Sequence, residues 1–102
     1  MVLQVMKWNI IPDKTNAYAK WAETAIKRSL TGGVFQFQAY RPITGNSEVV
    51  VTYEFADLAA WTNWRRNENV HKVIDELRKY TFNVSIEVWG PSPIVPAPVQ
   101  FY

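Results

Sequence analysis

At 102 residues, 48% of them apolar and 15% aromatic, the chain makes one domain near the size at which association adds useful burial. A net charge of +2, with the basic residues scattered and never more than two in a row, as at Arg65-Arg66, argues against a nucleic-acid-binding face. The absence of cysteine excludes a disulfide framework and a thiolate metal site, and no apolar run approaches transmembrane length.

Residues 2–10, VLQVMKWNI, alternate as a strand. Leu3, Val5, Lys7 and Asn9 fall on one face and Gln4, Met6, Trp8 and Ile10 on the other, and the first set is expected to face the helices. The N-terminus enters this strand without a charged leader, so a cytoplasmic protein is expected. Pro12 and Asp13 make a turn into a helix from about Lys14 to Leu30, whose stripe is Tyr18, Trp21, Ala22, Ala25 and Ile26, and Gly32-Gly33 ends it. Residues 34–40 form a second strand, RPITGN a hairpin connection, and residues 48–55 a third strand with Val49, Val51, Tyr53 and Phe55 on one face.

Residues 57–80 form a long helical segment, N-capped by Asp57. Leu58, Trp61, Val70, Val73, Ile74 and Leu77 mark its apolar stripe, and poor helix formers predict a kink or break near Asn67. His71, the only histidine, lies one position off that stripe. If the helix is continuous, Trp64 stands two turns before it on the same side, and the two line a pocket. Residues 81–89 form a fourth strand, and a tail with four of the six prolines is expected to be extended and to lie on an apolar surface. A folded unit over residues 1–90 and a tail over 91–102 follow.

The order is βαββαβ, the ferredoxin-like α+β arrangement: a four-stranded antiparallel sheet with two helices on one face. The other face is expected to mix Met6, Trp8, Tyr40, Val50 and Trp89 with Gln4, Gln36, Gln38, Thr52, Glu54, Ser85 and Glu87. Such a surface suits a second sheet, so a homodimer closing a partly polar barrel is expected.

The element order, the junction TYEFADLAAWTNW and the segment ENVHKVIDEL resemble the dimeric α+β barrel superfamily. That group includes the antibiotic biosynthesis monooxygenase-like proteins, the haem-degrading monooxygenases, and the NIPSNAP-like and stress-responsive barrel proteins. The resemblance implies a monooxygenase-like enzyme acting on a flat apolar substrate between the second helix and the sheet, with either no cofactor or haem. It further implies roles for Asn9, for Trp61 or Trp64, and for His71.

Each candidate has a plainer reading. His71 suits iron ligation or proton transfer, or a helix-edge bond to Asn67, Asp75 or solvent. Asn9 suits holding a carbonyl or bound oxygen, or capping a strand end. Trp61 and Trp64, with Tyr53, suit an aromatic wall; the alternative is core packing for Trp61 and interface packing for Trp64. Arg65 suits a substrate carboxylate, or a solvated face. No complete catalytic motif or metal cluster stands in the sequence, which leaves open a non-catalytic ligand-binding or assembly protein of the same fold.

Overall fold

The computed structural model describes residues 1–101. The elements are β1 (Val2–Ile10), α1 (Thr15–Ser29), β2 (Val34–Tyr40), β3 (Val49–Phe55), α2 (Leu58–Arg65), α3 (Glu68–Leu77) and β4 (Thr81–Trp89), with a short 3-10 turn at Pro12–Lys14 before α1. The strands form one antiparallel sheet in the order β2-β3-β1-β4. This is the expected ferredoxin-like fold. Among the described residues no helix is long and apolar enough to cross a membrane.

Register decides which face of each strand meets the helices. Val51, Tyr53 and Phe55 of β3 are buried, and their partners on β1 are Met6, Gln4 and Val2. Residues paired across neighbouring strands share a face, so Gln4, Met6 and Trp8 point towards the helices. The expectation for β1 was the reverse and is corrected here. Both of its sets are apolar enough to be buried, and alternation alone does not choose between Leu3–Val5 and Met6–Trp8. The open face therefore carries Leu3, Val5, Lys7, Val50, Thr52, Glu54, Gln36, Gln38, Tyr40 and Trp89.

Two irregularities re-aim side chains. In β2, Val34 and Gln36 pair with consecutive residues of β3, so Phe35 is extra and stands exposed. In β4, Ser85 and Phe82 pair with Lys7 and Asn9, which leaves an extra residue where Asn83 adopts φ 54°. Asparagine tolerates this left-handed backbone better than most residues because its short polar side chain bonds locally.

The helical segment breaks where expected. Asn67 is extended, with φ −67° and ψ 128°, and its side chain accepts from the Asn69 amide at 2.8 Å, capping α3. Asp57 caps α2 by accepting from the Ala60 amide at 2.8 Å. α3 buries Val70, Val73, Ile74 and Leu77, whereas α2 buries Trp64 and leaves Leu58 exposed. Residues 90–101 form no strand and are exposed, Ile94 at 87% and Phe101 at 95%.

Asn83→Val is expected to lower the unfolding free energy by about 1–2 kcal/mol, because a β-branched side chain is forced into the left-handed region. Asn83→Gly is expected to stay within about 0.5 kcal/mol of the native protein. Urea unfolding midpoints of the two variants check this.

Candidate functional site

Between α1, α3 and the helix-facing side of the sheet lies a partly open cavity of about 100 Å³. Trp8 and Met6 form its floor on β1, with Phe37, Val51 and Tyr53 from β2 and β3. Tyr18, Trp21, Ala25 and Ser29 line it from α1, Trp64 from α2, and Val70, Val73, Ile74 and Leu77 from α3. None of its lining residues carries a charge, and only Ala39, on edge strand β2, is exposed. The mouth is therefore at the β2 edge.

The aromatic wall is tightly coupled. Tyr53 stacks with Trp64 at 4.8 Å and with Phe37 at 5.0 Å, and Trp64 also meets Phe55 at 5.2 Å. Such tilted pairs contribute about 0.5–1.5 kcal/mol each beyond area burial. Trp64 Nε1 donates to the Ser29 carbonyl at 2.8 Å, which ties α2 to the end of α1. Ser29 Oγ donates to the Ile26 carbonyl at 2.7 Å and lies 2.8 Å from the Tyr53 hydroxyl. A serine has one proton, and Ile26 O takes it, so Tyr53 is the donor in that second bond. Burial raises the Tyr53 pKa above its ordinary 10.0, against the smaller lowering effect of the Ser29 bond.

On the α1 side, Trp8 Nε1 donates to the Tyr18 hydroxyl at 3.1 Å. Burial raises the Tyr18 pKa, the Trp8 bond opposes this, and the Glu48 carboxylate adds a smaller push upward. Trp21 Nε1 donates to Glu76 Oε1 at 2.8 Å, and Arg28 grips the same carboxylate with both Nη atoms at 2.6 and 3.1 Å. This clasp joins α1 to α3 over the cavity. The Arg28 bond, then the Trp21 bond, hold the Glu76 pKa below its ordinary 4.5.

The residues singled out from sequence divide clearly. Tyr53 and Trp64 line the cavity. Trp64 is core, 2% exposed, and not the interface residue its plainer reading assigned. Trp61 is half-buried and donates to Gln4 Oε1 at 2.9 Å, outside the cavity lining. Gln4 Nε2 and Arg65 Nη1 are buried without a hydrogen-bond partner among the described residues. Asn9 lies on the opposite side of β1 from Trp8, and its Oδ1 accepts from the Glu48 amide at 2.8 Å, while Glu48 Oε1 accepts from the Ile10 amide at 3.0 Å. Asn9 thus pins the start of β3 to the end of β1. His71 is exposed on α3 and does not line the cavity, because the break at Asn67 separates its helix from that of Trp64. The expected grouping of His71, Asn9 and Trp64 in one pocket is corrected accordingly. Tyr18 and Trp8 were missed as site residues: Tyr18 sits on an apolar helical stripe that reads as core, and Trp8 was assigned to the other face.

Residues 1–76 match the sequence profile of the antibiotic biosynthesis monooxygenase family. The chain belongs to that family. Among solved structures it is similar to an antibiotic biosynthesis monooxygenase-like protein of Deinococcus radiodurans, 12% identical with a TM-score of 0.76, covering 100% of this chain and 99% of that one. It is also similar to a DABB-family protein of Mesorhizobium loti with a ferredoxin-like fold, 19% identical with a TM-score of 0.77, covering 89% and 96%. A third is SnoaB of Streptomyces nogalater, described as a cofactor-independent oxygenase, 14% identical with a TM-score of 0.69, covering 94% and 97%. At these identities the likeness carries the fold alone. No functionally curated protein matches the chain.

Haem, the cofactor that the resemblance to haem-degrading relatives left open, does not fit this cavity. The space of about 100 Å³ is far below a macrocycle, and the wall offers no imidazole to hold an iron.

A carboxylate with a lowered folded pKa adds stability that is present above its unfolded pKa and is lost as the pH falls through the folded one. Glu76 should follow this course below pH 4.5. In Glu76→Gln that part of the acid sensitivity should disappear, at a cost near neutrality of about 1 kcal/mol or less for so exposed an ion pair. Thermal midpoints of both proteins against pH check it.

Proposed function

We propose that this protein is a monooxygenase-type enzyme that takes a small, flat, apolar substrate into the cavity between α1, α3 and the sheet. The observation that carries the reading is the wall itself: Trp8, Tyr18, Trp21, Tyr53 and Trp64 around a space with no charged side chain. Aromatic walls give large contact area to a flat ligand, and an uncharged interior favours an uncharged one. With buried Tyr53 and half-buried Tyr18 as its only ionisable groups, any proton moved inside the cavity moves at Tyr18, at Tyr53 or on the ligand.

The second reading is a ligand-binding protein of the same fold without turnover. The position of His71 and Asn9 outside the cavity favours it. Aerobic incubation with neutral aromatic substrates separates the two. Catalysis predicts multiple turnover of a substrate that supplies the two electrons itself, a ring-activated methylene becoming a carbonyl as one dioxygen is consumed and one water released. It is read as dioxygen uptake and one product oxygen atom derived from dioxygen. Binding without either signal supports the second reading. Ala39→Phe places a bulky side chain at the mouth, on an exposed edge position that tolerates it. It is expected to weaken binding or turnover about tenfold or more with the thermal midpoint nearly unchanged. Unaltered binding in this variant would sink the assignment of the cavity.

We also propose that two protomers pair through their open sheet faces, each adding its residues 91–102 to the other. The open face supports this, since Leu3, Val5, Val50 and Trp89 interrupt its polar residues around a broad concavity of about 410 Å³. The tail supports it with Ile94, Val95, Val99 and Phe101, which stand exposed among the described residues. Truncation after Gly90 is expected to raise the dimer dissociation constant about tenfold or more in sedimentation equilibrium. An unchanged constant removes the tail from the interface, and a monomer at all concentrations removes the interface.

A further inference from the structure

The cavity wall holds few polar side-chain atoms, and their protons can be followed one by one. Trp21 Nε1 gives its proton to Glu76, Trp64 Nε1 to the Ser29 carbonyl, and Ser29 Oγ to the Ile26 carbonyl. Tyr53 gives its proton to Ser29 Oγ, and Trp8 Nε1 gives its proton to the Tyr18 oxygen. That leaves the Tyr18 hydroxyl proton, which reaches no acceptor among the described residues. Tyr18 is the single donor that this wall can still offer to a guest. The Trp8 bond strengthens it in two ways. It fixes the position of the oxygen, and a hydroxyl that accepts a hydrogen bond becomes a better donor. Burial keeps the group protonated, since it raises the pKa above 10.0.

The guest is constrained on three sides. It has to be neutral, because no cation on the wall would offset the desolvation of a carboxylate. It has to be small, because about 100 Å³ is of the same order as the ~150 Å³ dry cavity that holds benzene. It has to carry an acceptor, because the unspent group is a donor. We propose that Tyr18 sets the specificity of the cavity by donating a hydrogen bond to the carbonyl oxygen of a neutral, single-ring ligand. The inference rests on the reading of this cavity as a ligand site and adds the chemical class of the ligand and the residue that selects it.

Three probes of similar size test it by calorimetric titration: acetophenone, ethylbenzene and benzoate. In the native protein acetophenone binds and benzoate binds at least about tenfold more weakly at neutral pH. In Tyr18→Phe the affinity ratio of acetophenone to ethylbenzene falls about three- to tenfold, the range of one neutral hydrogen bond. Ethylbenzene binding stays as it was, which also shows that the cavity survives the loss of Trp8's acceptor. A second measurement needs no variant: the infrared carbonyl stretch of bound acetophenone should lie below its position in alkane solvent. An unshifted carbonyl, an unchanged ratio in Tyr18→Phe, or benzoate bound as tightly as acetophenone would overturn the role of Tyr18 and leave the cavity as a ligand site. If ethylbenzene and acetophenone both fail to bind the native protein, the ligand-site reading falls, and the role of Tyr18 falls with it.

Discussion

Ser29 is the point at which the helical layer and the sheet are joined. Its hydroxyl accepts the Tyr53 proton and passes its own to Ile26, while its carbonyl accepts from Trp64. Through one residue, 2% exposed, β3, α1 and α2 are held in a fixed relation. All three groups are buried, so each bond is costly to leave unmade. The aromatic stack of Phe37, Tyr53, Trp64 and Phe55 forms around that junction. The cavity begins where the stack ends, in the space that α1 and α3 bridge without filling.

The same economy explains what the cavity offers chemically. Its polar groups are mostly consumed in holding the elements together, so little remains for a guest. An interior assembled this way discriminates by size, flatness and neutrality more than by charge. In the proposed reading, the selection of a ligand falls to this wall, in particular to Trp8 and Tyr18.

Much of the fold was legible in the sequence. β2, β3 and β4 alternate with one face clearly more apolar, and the turn residues and Asn67 punctuate the chain where the elements end. The face of β1 was not legible, because a central strand apolar on both sides satisfies either orientation. Only its register against Val51, Tyr53 and Phe55 breaks the tie. The site was harder to read. Tyr53 and Trp64 are cavity residues, but Trp64 meets Ser29 across 35 positions of sequence, a pairing that no local pattern encodes. His71 drew notice as the only histidine, yet one extended residue at Asn67 turns it outwards. Tyr18 and Trp8 carry no motif, and their importance comes from a single bond between a helix and a strand.

The pin at the start of β3 has a consequence for how this protein can change. Asn9 and Glu48 fasten β3 to β1 independently of the connection that precedes them. The segment from Arg41 to Ser47 is thereby relieved of holding the sheet together, and its Ile43 stands fully in solvent. It also starts two residues beyond Ala39, at the cavity mouth. Lengthening a surface loop is thermodynamically mild, about 0.6 kcal/mol for each doubling. Access to the interior and cohesion of the core are thus assigned to separate stretches of chain, and the first can drift in length and composition while the second stays put.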